Sequence, residues 1–565
     1  MSSREQMRKI WTLGAAGVAL SAVLAGGGCY DFDAAQKRCE AEGRCEQALP
    51  EDAGCTPSSS SEDFPDDEFA DTDCDGVDGR ASAGLFVDPL NGDDSAGTGT
   101  REKPLRSLSE ALTRLRQWDG GSAPTRLYLA SGTYSEGHVE LDVPVSLHGG
   151  YAGGAGGWKR AGNQLAYVDS GTTGITVRVP TDSGVVLEYL HIRSADAVER
   201  GQPSIAMRVI DSPNVRLRHT ILEAGRGGTG KDGDTGSPGI QGEDGQKGQQ
   251  IAATIPGDGG AGGSALCPLG YSGGYGADGV PRNHGLDGKA GLPAASSGGT
   301  VFGGAGGRGG DAGVLPCDGG GCSCAGFPGG PGEEGGQGIA GDSGAPGSGR
   351  GALSSSTWVT VPEMQGGQGT PGTAGGGGGG GGSGGSCIAE SNFELSAGGA
   401  GGGGGAGGCS GQGGMGGGGG GASIGLLVFS SRVTLEADSH VQTLGGGTGG
   451  PGGMGGAGGS GGNGGTGATT NVVSRSFPGD PTNSYQSHGG AGGKGGLGGQ
   501  GGQGGPGGGG AGGPSVGIWC APGSQVTLDG GTTIDAGPGG SGGASTGQSG
   551  AAGMSATEIP CPPIP

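Results

Sequence analysis

Asp71, Asp73, Asp75 and Asp78 are packed into a short stretch with Gly76 and Gly79. Carboxylates at alternate positions followed by glycine gather hard oxygens around a tight turn, the pattern that begins a calcium-binding loop. The twelfth position of such a loop, normally acidic, is Ser82 here. The segment is therefore expected either to hold calcium through Asp71, Asp73, Asp75 and Asp78, or to be a solvated acidic linker tied through Cys74. No other cofactor is expected. Cleavage of a glycosidic bond needs two carboxylates held across it. The candidates on expected strands are Glu140, Asp142, Asp169 and Glu188, with Arg193 and Arg216 as cations. They form no recognisable pair, and alternating charges on a strand usually mark its solvent face. The seven histidines are scattered without metal-ligand spacing. Cys317, Cys322 and Cys324 are irregularly spaced, which disfavours zinc. No nucleophile elbow or phosphate-binding lysine accompanies the glycines. Catalysis is not expected.

The elements that carry these residues begin with a targeting segment, 1–29. Arg4, Arg8 and Lys9 precede an apolar stretch, Ile10 to Leu24, that is short for a membrane span. Leu24-Ala25-Gly26-Gly27-Gly28-Cys29 then resembles the lipobox of bacterial lipoproteins, although Gly26 stands where that pattern has a branched apolar residue. The resemblance implies diacylation of Cys29 and attachment to a membrane, the outer membrane or cell surface. Twelve cysteines remain, an even number that suits disulfides in an oxidising compartment. Cys520 and Cys561 are placed to tie down the C-terminus. Cys267, Cys317, Cys322, Cys324, Cys387 and Cys409 are expected to pair locally.

Glycine is 155 of 565 residues, aromatics are 4%, and the formal charge is −23. Residues 30–83 read as an acidic tether: 30–80 alone hold sixteen Asp and Glu against four Lys and Arg. Such a stretch buries too little apolar surface to offset its ordering entropy. An acidic chain without a basic patch excludes nucleic acid as the expected partner.

Residues 84–224 are the conventional globular part. Leu105, Leu108, Leu112 and Leu115 recur at helical spacing, and Ser107 with Glu110 forms a capping box. β-Rich runs follow at Arg126 to Leu129, Val139 to Leu147, Thr173 to Val179, Val185 to Ile192, Ser204 to Ile210 and Val215 to Ile221. One helix followed by many strands argues for an all-β architecture rather than βαβ units.

The order Val87-Asp88-Pro89, Gly92-Asp93, Gly97-Thr98, Pro104, Leu108, Ala111-Leu112, Gly132-Thr133-Tyr134, Gly149-Gly150-Tyr151 and Trp158 resembles pectin-lyase-like right-handed β-helix domains of unknown function in bacterial surface proteins. The resemblance covers a quarter of the chain. It implies a short right-handed parallel β-helix whose open end is capped by the amphipathic helix.

A repeat within the chain points the same way. Ser204-Ile205-Ala206-Met207 with Val215-Arg216-Leu217 matches Ser423-Ile424-Gly425-Leu426 with Val433-Thr434-Leu435, and Ser515-Val516-Gly517-Ile518 with Val526-Thr527-Leu528. A strand-turn-strand unit cannot bury its inner face alone, so the copies are expected to stack as adjacent coils. The organisation expected is 84–224 coils with the cap helix, 225–421 glycine-rich insertion, 422–444 coil, 445–513 glycine-rich hairpin, 514–536 coil and 537–565 glycine-rich tail.

In the second insertion, 446–466 and 489–509 are each seven Gly-Gly-X triplets. A period of three matches the extended threefold helix, in which each leg reaches roughly 65 Å. Its two bare edges allow close approach and backbone hydrogen bonds. A lone leg of fourteen glycines is roughly 7–14 kcal/mol costlier to order than alanine, against about 0.5–1.5 kcal/mol per net hydrogen bond. The insertions are thus a mutually bonded polyglycine-type bundle or disordered. A collagen trimer is disfavoured, because 227–248 has glycine at every third position but only Pro238. The runs are similar in composition to the glycine-rich repeats of PGRS-type proteins.

The function expected is that of a non-catalytic cell-surface lipoprotein with a structural, adhesive or matrix-contacting role. Its expected partners are a membrane through the lipid anchor, and polysaccharide or other surface proteins. The alternative is a carbohydrate-active β-helix enzyme.

Overall fold

The computed structural model describes residues 62–562, except 268–269, 294–300, 316–320, 390–392 and 478. The expected targeting segment, Cys29, and Cys39, Cys45 and Cys55 lie outside the described residues. The chain divides into two compact units, Met1–Asp63 with Asp71–Asp75, and Phe64–Ala70 with Gly76–Pro565. The second holds almost all described structure. It is mostly β, and no described helix is long and apolar enough to cross a membrane.

Three parallel sheets form its frame. Neighbour to neighbour, the first contains Gly84–Val87, Arg126–Ala130, Ser146–Tyr151, Val185–Glu188, Val215–Arg218, Arg432–Glu436 and Gln525–Leu528. The second contains Val139–Leu141, Ile175–Val177, Ser204–Ile210, Ser423–Phe429, Ser515–Cys520 and Ser555–Ile559. The third contains Gly132–Ser135, Ala166–Ser170, Leu190–Ser194, Ile221–Ala224, His440–Thr443 and Thr533–Asp535. From Ser204 onward the chain visits second, first and third sheet in turn, leaves through glycine-rich residues, and returns to the second. The in-register pairs are those of the sequence repeat: Ser204 opposite Ser423 opposite Ser515, and Leu217 opposite Leu435 opposite Leu528.

The core is a set of ladders. Leu85, Leu127, Leu147, Leu187, Leu217 and Leu435 succeed one another along the first sheet. Val168, Ile192, Leu222 and Val441 do so along the third. All are essentially buried in one apolar cluster. At about 1.5–3 kcal/mol for each fully buried aliphatic side chain, these rows are the main force stacking one strand on the next.

Three expected strands are each broken in two; Val215 to Ile221 ends at Arg218, and Ile221 opens the next strand, in the third sheet. Val139 to Leu147 separates into Val139–Leu141 and Ser146–Tyr151, because Pro144 has no N–H for a ladder. Val185 to Ile192 separates at Tyr189, whose φ of 54° turns the chain from the first sheet into the third. His219 (46°) and Ala437 (48°) turn the two following rungs at the same corner. The helix is Leu108–Arg116, and it buries Leu108, Ala111, Leu112 and Leu115 in the common core. Only half of the capping box forms. Ser107 Oγ accepts the Glu110 N–H, but Glu110 turns to Arg114, and Asp94 accepts the Ser107 N–H instead.

The stretch expected as a solvated acidic tether packs against the sheets near its end. Val77, inside the expected 30–83 span, is 1% exposed and packs with Phe86, Tyr128, Tyr151 and Trp158. The expected tail, 537–565, contains a strand that continues the repeat: Ser555–Ile559 pairs with Ser515–Cys520, Ser515 opposite Ser555.

The glycine-rich runs lie side by side, bonded at every third residue. Gly230, Gly233, Gly236 and Gly239 donate to the carbonyls of Thr448, Pro451, Met454 and Ala457. That is the repeat of the threefold extended helix. The 397–421 run is bonded to six others. It donates to runs near 228–246, 271–280 and 490–511, and accepts from 260–263, 366–384 and 447–468. The 366–386 run also has six bonded neighbours.

Glycine content follows neighbour number. Residues 227–248, at the periphery, keep glycine at one position in three, and the 446–466 leg keeps two. Within the 366–386 and 397–421 runs eight consecutive glycines stand at 375–382, five at 401–405 and six at 416–421. At 375–386 and 397–409 the remaining positions are small and buried, such as Ser383, Ala400 and Ala406. A Cβ on Gly377 would stand 2.0 Å from the Ser272 carbonyl oxygen, and one on Gly403 2.1 Å from that of Ala261. Neither glycine has a left-handed backbone, so close approach is what excludes a side chain.

Three disulfides clamp the ends. Cys267–Cys409 ties a turn to the 397–421 run, Cys324–Cys387 joins the short strands Cys322–Ala325 and Cys387–Ile388, and Cys520–Cys561 fastens the last described strand. Cys74 and Cys322 are also disulfide-bonded.

Candidate functional site

The outer face of the first sheet carries a charged ladder: His148 opposite Glu188, Glu188 opposite Arg218, Arg218 opposite Glu436. Side chains one strand apart on the same face are neighbours, and opposite charges there attract. Arg160 reaches this ladder from the loop after Tyr151. Its Nη1 donates to Asp78 Oδ2 at 2.9 Å and to the Asp66 carbonyl at 3.1 Å; its Nε donates to the Gly149 carbonyl at 3.0 Å. Its Nη2 donates to Glu188. The guanidinium also lies over the rings of Tyr189, Tyr151 and Phe69, at 4.8, 5.4 and 5.7 Å from their centroids. Its side chain is fully buried.

Glu188 is the hub. It is 1% exposed and accepts from His148 Nδ1 at 2.8 Å and Arg218 Nη1 at 3.0 Å in addition to Arg160. Burial alone raises its carboxyl, but the His148 hydrogen bond and the Arg160 and Arg218 charges outweigh that and bring it down to about 2. Burial pushes His148 below its ordinary value, against the pull of Glu188. For Asp78 burial prevails and lifts the carboxyl to about 6, against the Arg160 hydrogen bond and charge. Arg218 Nη2 donates to Asp67 at 2.6 Å, and His219 Nε2 stands 3.2 Å from the other oxygen of the same carboxylate. This network therefore fastens Phe64–Ala70 and the start of Gly76–Pro565 onto the sheet. Beside it lies a cleft of about 430 Å³ lined by Phe64, Arg126, Pro144, His148, Arg216 and Arg218.

A carboxylate held ionised by three donors has no proton to give at neutral pH, which removes Glu188 as a general acid. The other sugar-cleavage candidates are dispersed among separate arginine pairs. Asp169 takes both guanidinium arms of Arg193 at 2.6 and 2.7 Å, and Arg216 is bidentate on Glu436 at 2.8 and 2.7 Å. Asp142 pairs with Arg116 at 2.7 Å and Glu140 with Arg178 at 3.7 Å. Sequence reasoning missed Arg160, Asp67 and His148. None carries a motif, and they meet only because the ladder register and the loop after Tyr151 bring them together.

In the first unit, carboxylate oxygens of Asp63, Asp71 and Asp73 lie within 4.8 Å of one another. Thr72 Oγ1 donates to Asp63 at 2.6 Å, and the Asp75 N–H is shared between Asp71 and Asp73 at 3.1 Å each. Of the expected calcium set, Asp71 and Asp73 converge, with Asp63 as a partner the sequence did not single out. Asp78 makes its ion pair with Arg160. The zinc reading fails, since Cys322 and Cys324 are both disulfide-bonded.

The glycine bundle presents side-chain rows. In the two Gly-Gly-X legs, Met454 and Leu497 at X positions are exposed while Gly453 and Gly496 press on the carbonyls of neighbouring runs. No known family, curated protein or solved structure matches the chain.

Proposed function

We propose that this chain is an exported, lipid-anchored, non-catalytic surface protein with a structural, adhesive or matrix-contacting role. In this reading the three parallel sheets are the faces of a right-handed β-helix, with Leu108–Arg116 as its cap. Cys29 is the lipidated residue, and the glycine bundle is the working part.

The observation that carries the reading is the enclosure of residues 376–386 and 397–409 by six bonded neighbours each. A bundle locked by backbone bonds on every side is stiff without an apolar core. It spends its side chains outward, as rows repeated about every 9 Å along each leg. Such rows suit contact with an extended polymer such as a polysaccharide. The disulfides agree with an oxidising compartment outside the cytoplasm. The cleft beside Glu188 favours the second reading, a carbohydrate-active enzyme, because it sets arginines beside a carboxylate.

One experiment separates the two. The mature protein is applied to a glycan array while release of reducing ends is followed. Retention of a glycan without product supports the surface-contact role. Product formation overturns it in favour of the enzyme, and neither binding nor product removes the polysaccharide as partner.

A further inference from the structure

The rung that closes the stack at its C-terminal side is left open. Along the first sheet Leu217 and Leu435 are 0% exposed, but their register partner Leu528 is 41% exposed. Along the third sheet Val441 is buried and its partner Ile534 only partly so. Along the second sheet the inward row Met207, Leu426, Ile518 ends on exposed Glu558. Gln525–Leu528 and Thr533–Asp535 are the last strands of their sheets among the described residues. Each therefore turns one row of backbone N–H and C=O groups away from the ladder, a template for strand addition.

We propose that this open rung docks an extended segment of another protein, wound as one further coil that adds a strand to each open edge, with lysine or arginine set between apolar residues. Its apolar residues continue the rows that stop at Leu528 in the first sheet and Ile534 in the third, and a cation in the part that follows Ser555–Ile559 meets Glu558 in the second. Charge decides against a second copy of this chain. Residues 515–562 contain Asp529, Asp535 and Glu558 and no lysine or arginine. Two such ends brought together set like charges against each other, which disfavours pairing. A basic partner segment meets no such repulsion and is steered by the negative charge. This surface is independent of the glycan contact proposed above, so either can fail alone.

The test uses the full mature protein and a fluorescent peptide of alternating valine and lysine. Controls are a valine–glutamate peptide and a serine–lysine peptide. The valine–lysine peptide is expected to bind and to slow amide exchange at 525–528 and 533–535. Glu558→Lys and Leu528→Arg are each expected to weaken it by about tenfold or more, or roughly 1.4 kcal/mol. Both positions are exposed, and unchanged exchange at 204–217 shows that the variants remain folded. The proposal is overturned by absence of protection at these strands, or by equal binding of either control peptide. Binding indifferent to Glu558→Lys, or self-association that protects the same edges, also overturns it.

Discussion

Ile205 and Ile424 are 219 positions apart in the chain and lie directly opposite each other in adjacent parallel strands, with Val516 next in the row. Both isoleucines and Val516 face away from the common core, into a second apolar cluster with Trp358 and Met364. Those two residues lie within the 225–421 insertion, in the link between its runs ending at 347 and beginning at 366. The bundle and the sheets are therefore packed through the same strands that interrupt it, and damage to one is transmitted to the other.

The buried charge hub gives two opposite mutational outcomes. Glu188→Gln leaves Arg160 without its main counter-charge in a buried site and is expected to cost about 3–5 kcal/mol. Asp78→Asn leaves Arg160 paired with Glu188 and is expected to cost distinctly less. Urea unfolding of the three proteins at neutral pH measures the difference.

The same two residues act in opposite pH windows. Glu188 titrates lower in the folded protein than its ordinary 4.5. Its contribution is present above that value and is lost as pH falls toward about 2. Asp78 is raised from 3.8 to about 6. Its contribution is present below 3.8 and is lost as pH rises through about 6. Asp78→Asn should therefore remove a fall in stability between pH 4 and 6 (about those limits) while leaving the acid-side loss in place. Unfolding midpoints across that range provide the check.

Glycine in the enclosed runs answers to space. Gly403→Ala drives a methyl group against the Ala261 carbonyl and is expected to destabilise the bundle by about 1–3 kcal/mol or more. Ser460→Ala, at an exposed X position, is expected to stay within about 0.5 kcal/mol of the parent. Thermal unfolding followed with exchange at 397–421 distinguishes them.

The Cys267–Cys409 bridge closes 142 residues of chain. A crosslink of that span restrains the unfolded state by about 5 kcal/mol in the chain-entropy treatment. Cys267→Ser/Cys409→Ser should accelerate amide exchange across 397–421 far more than across the 204–217 strands. Equal acceleration in both regions would show that the bridge is not local to the bundle.

The stacking was legible because the sequence repeats its own ladder: Ser204, Ser423 and Ser515 begin the same motif, and they pair in adjacent strands. The fourth copy was not, because Glu558 replaces the apolar residue that would have revealed it. The Gly-Gly-X period exposed the geometry of each leg. Which runs are enclosed was also written there, in Gly375–Gly382, but composition alone does not rank neighbours. The Arg160 hub was invisible, since it joins Asp78, Gly149 and Glu188 through loops and register rather than spacing. Of the expected calcium ligands, the alternating pair Asp71 and Asp73 converged, whereas Asp78 was taken by burial and an arginine.

The stacking of distant rungs is tested most directly by an engineered crosslink on the solvent face. Arg216 and Thr434 are register partners, and Thr527 is the partner of Thr434 one strand further on. Arg216→Cys/Thr434→Cys places the thiols about 5 Å apart by strand spacing, within disulfide reach. Arg216→Cys/Thr527→Cys doubles that distance, beyond the roughly 7 Å limit. Peptide mapping by mass spectrometry is expected to find the first bond and not the second. No bond in the first variant, or bonds in both, would contradict the stacked arrangement.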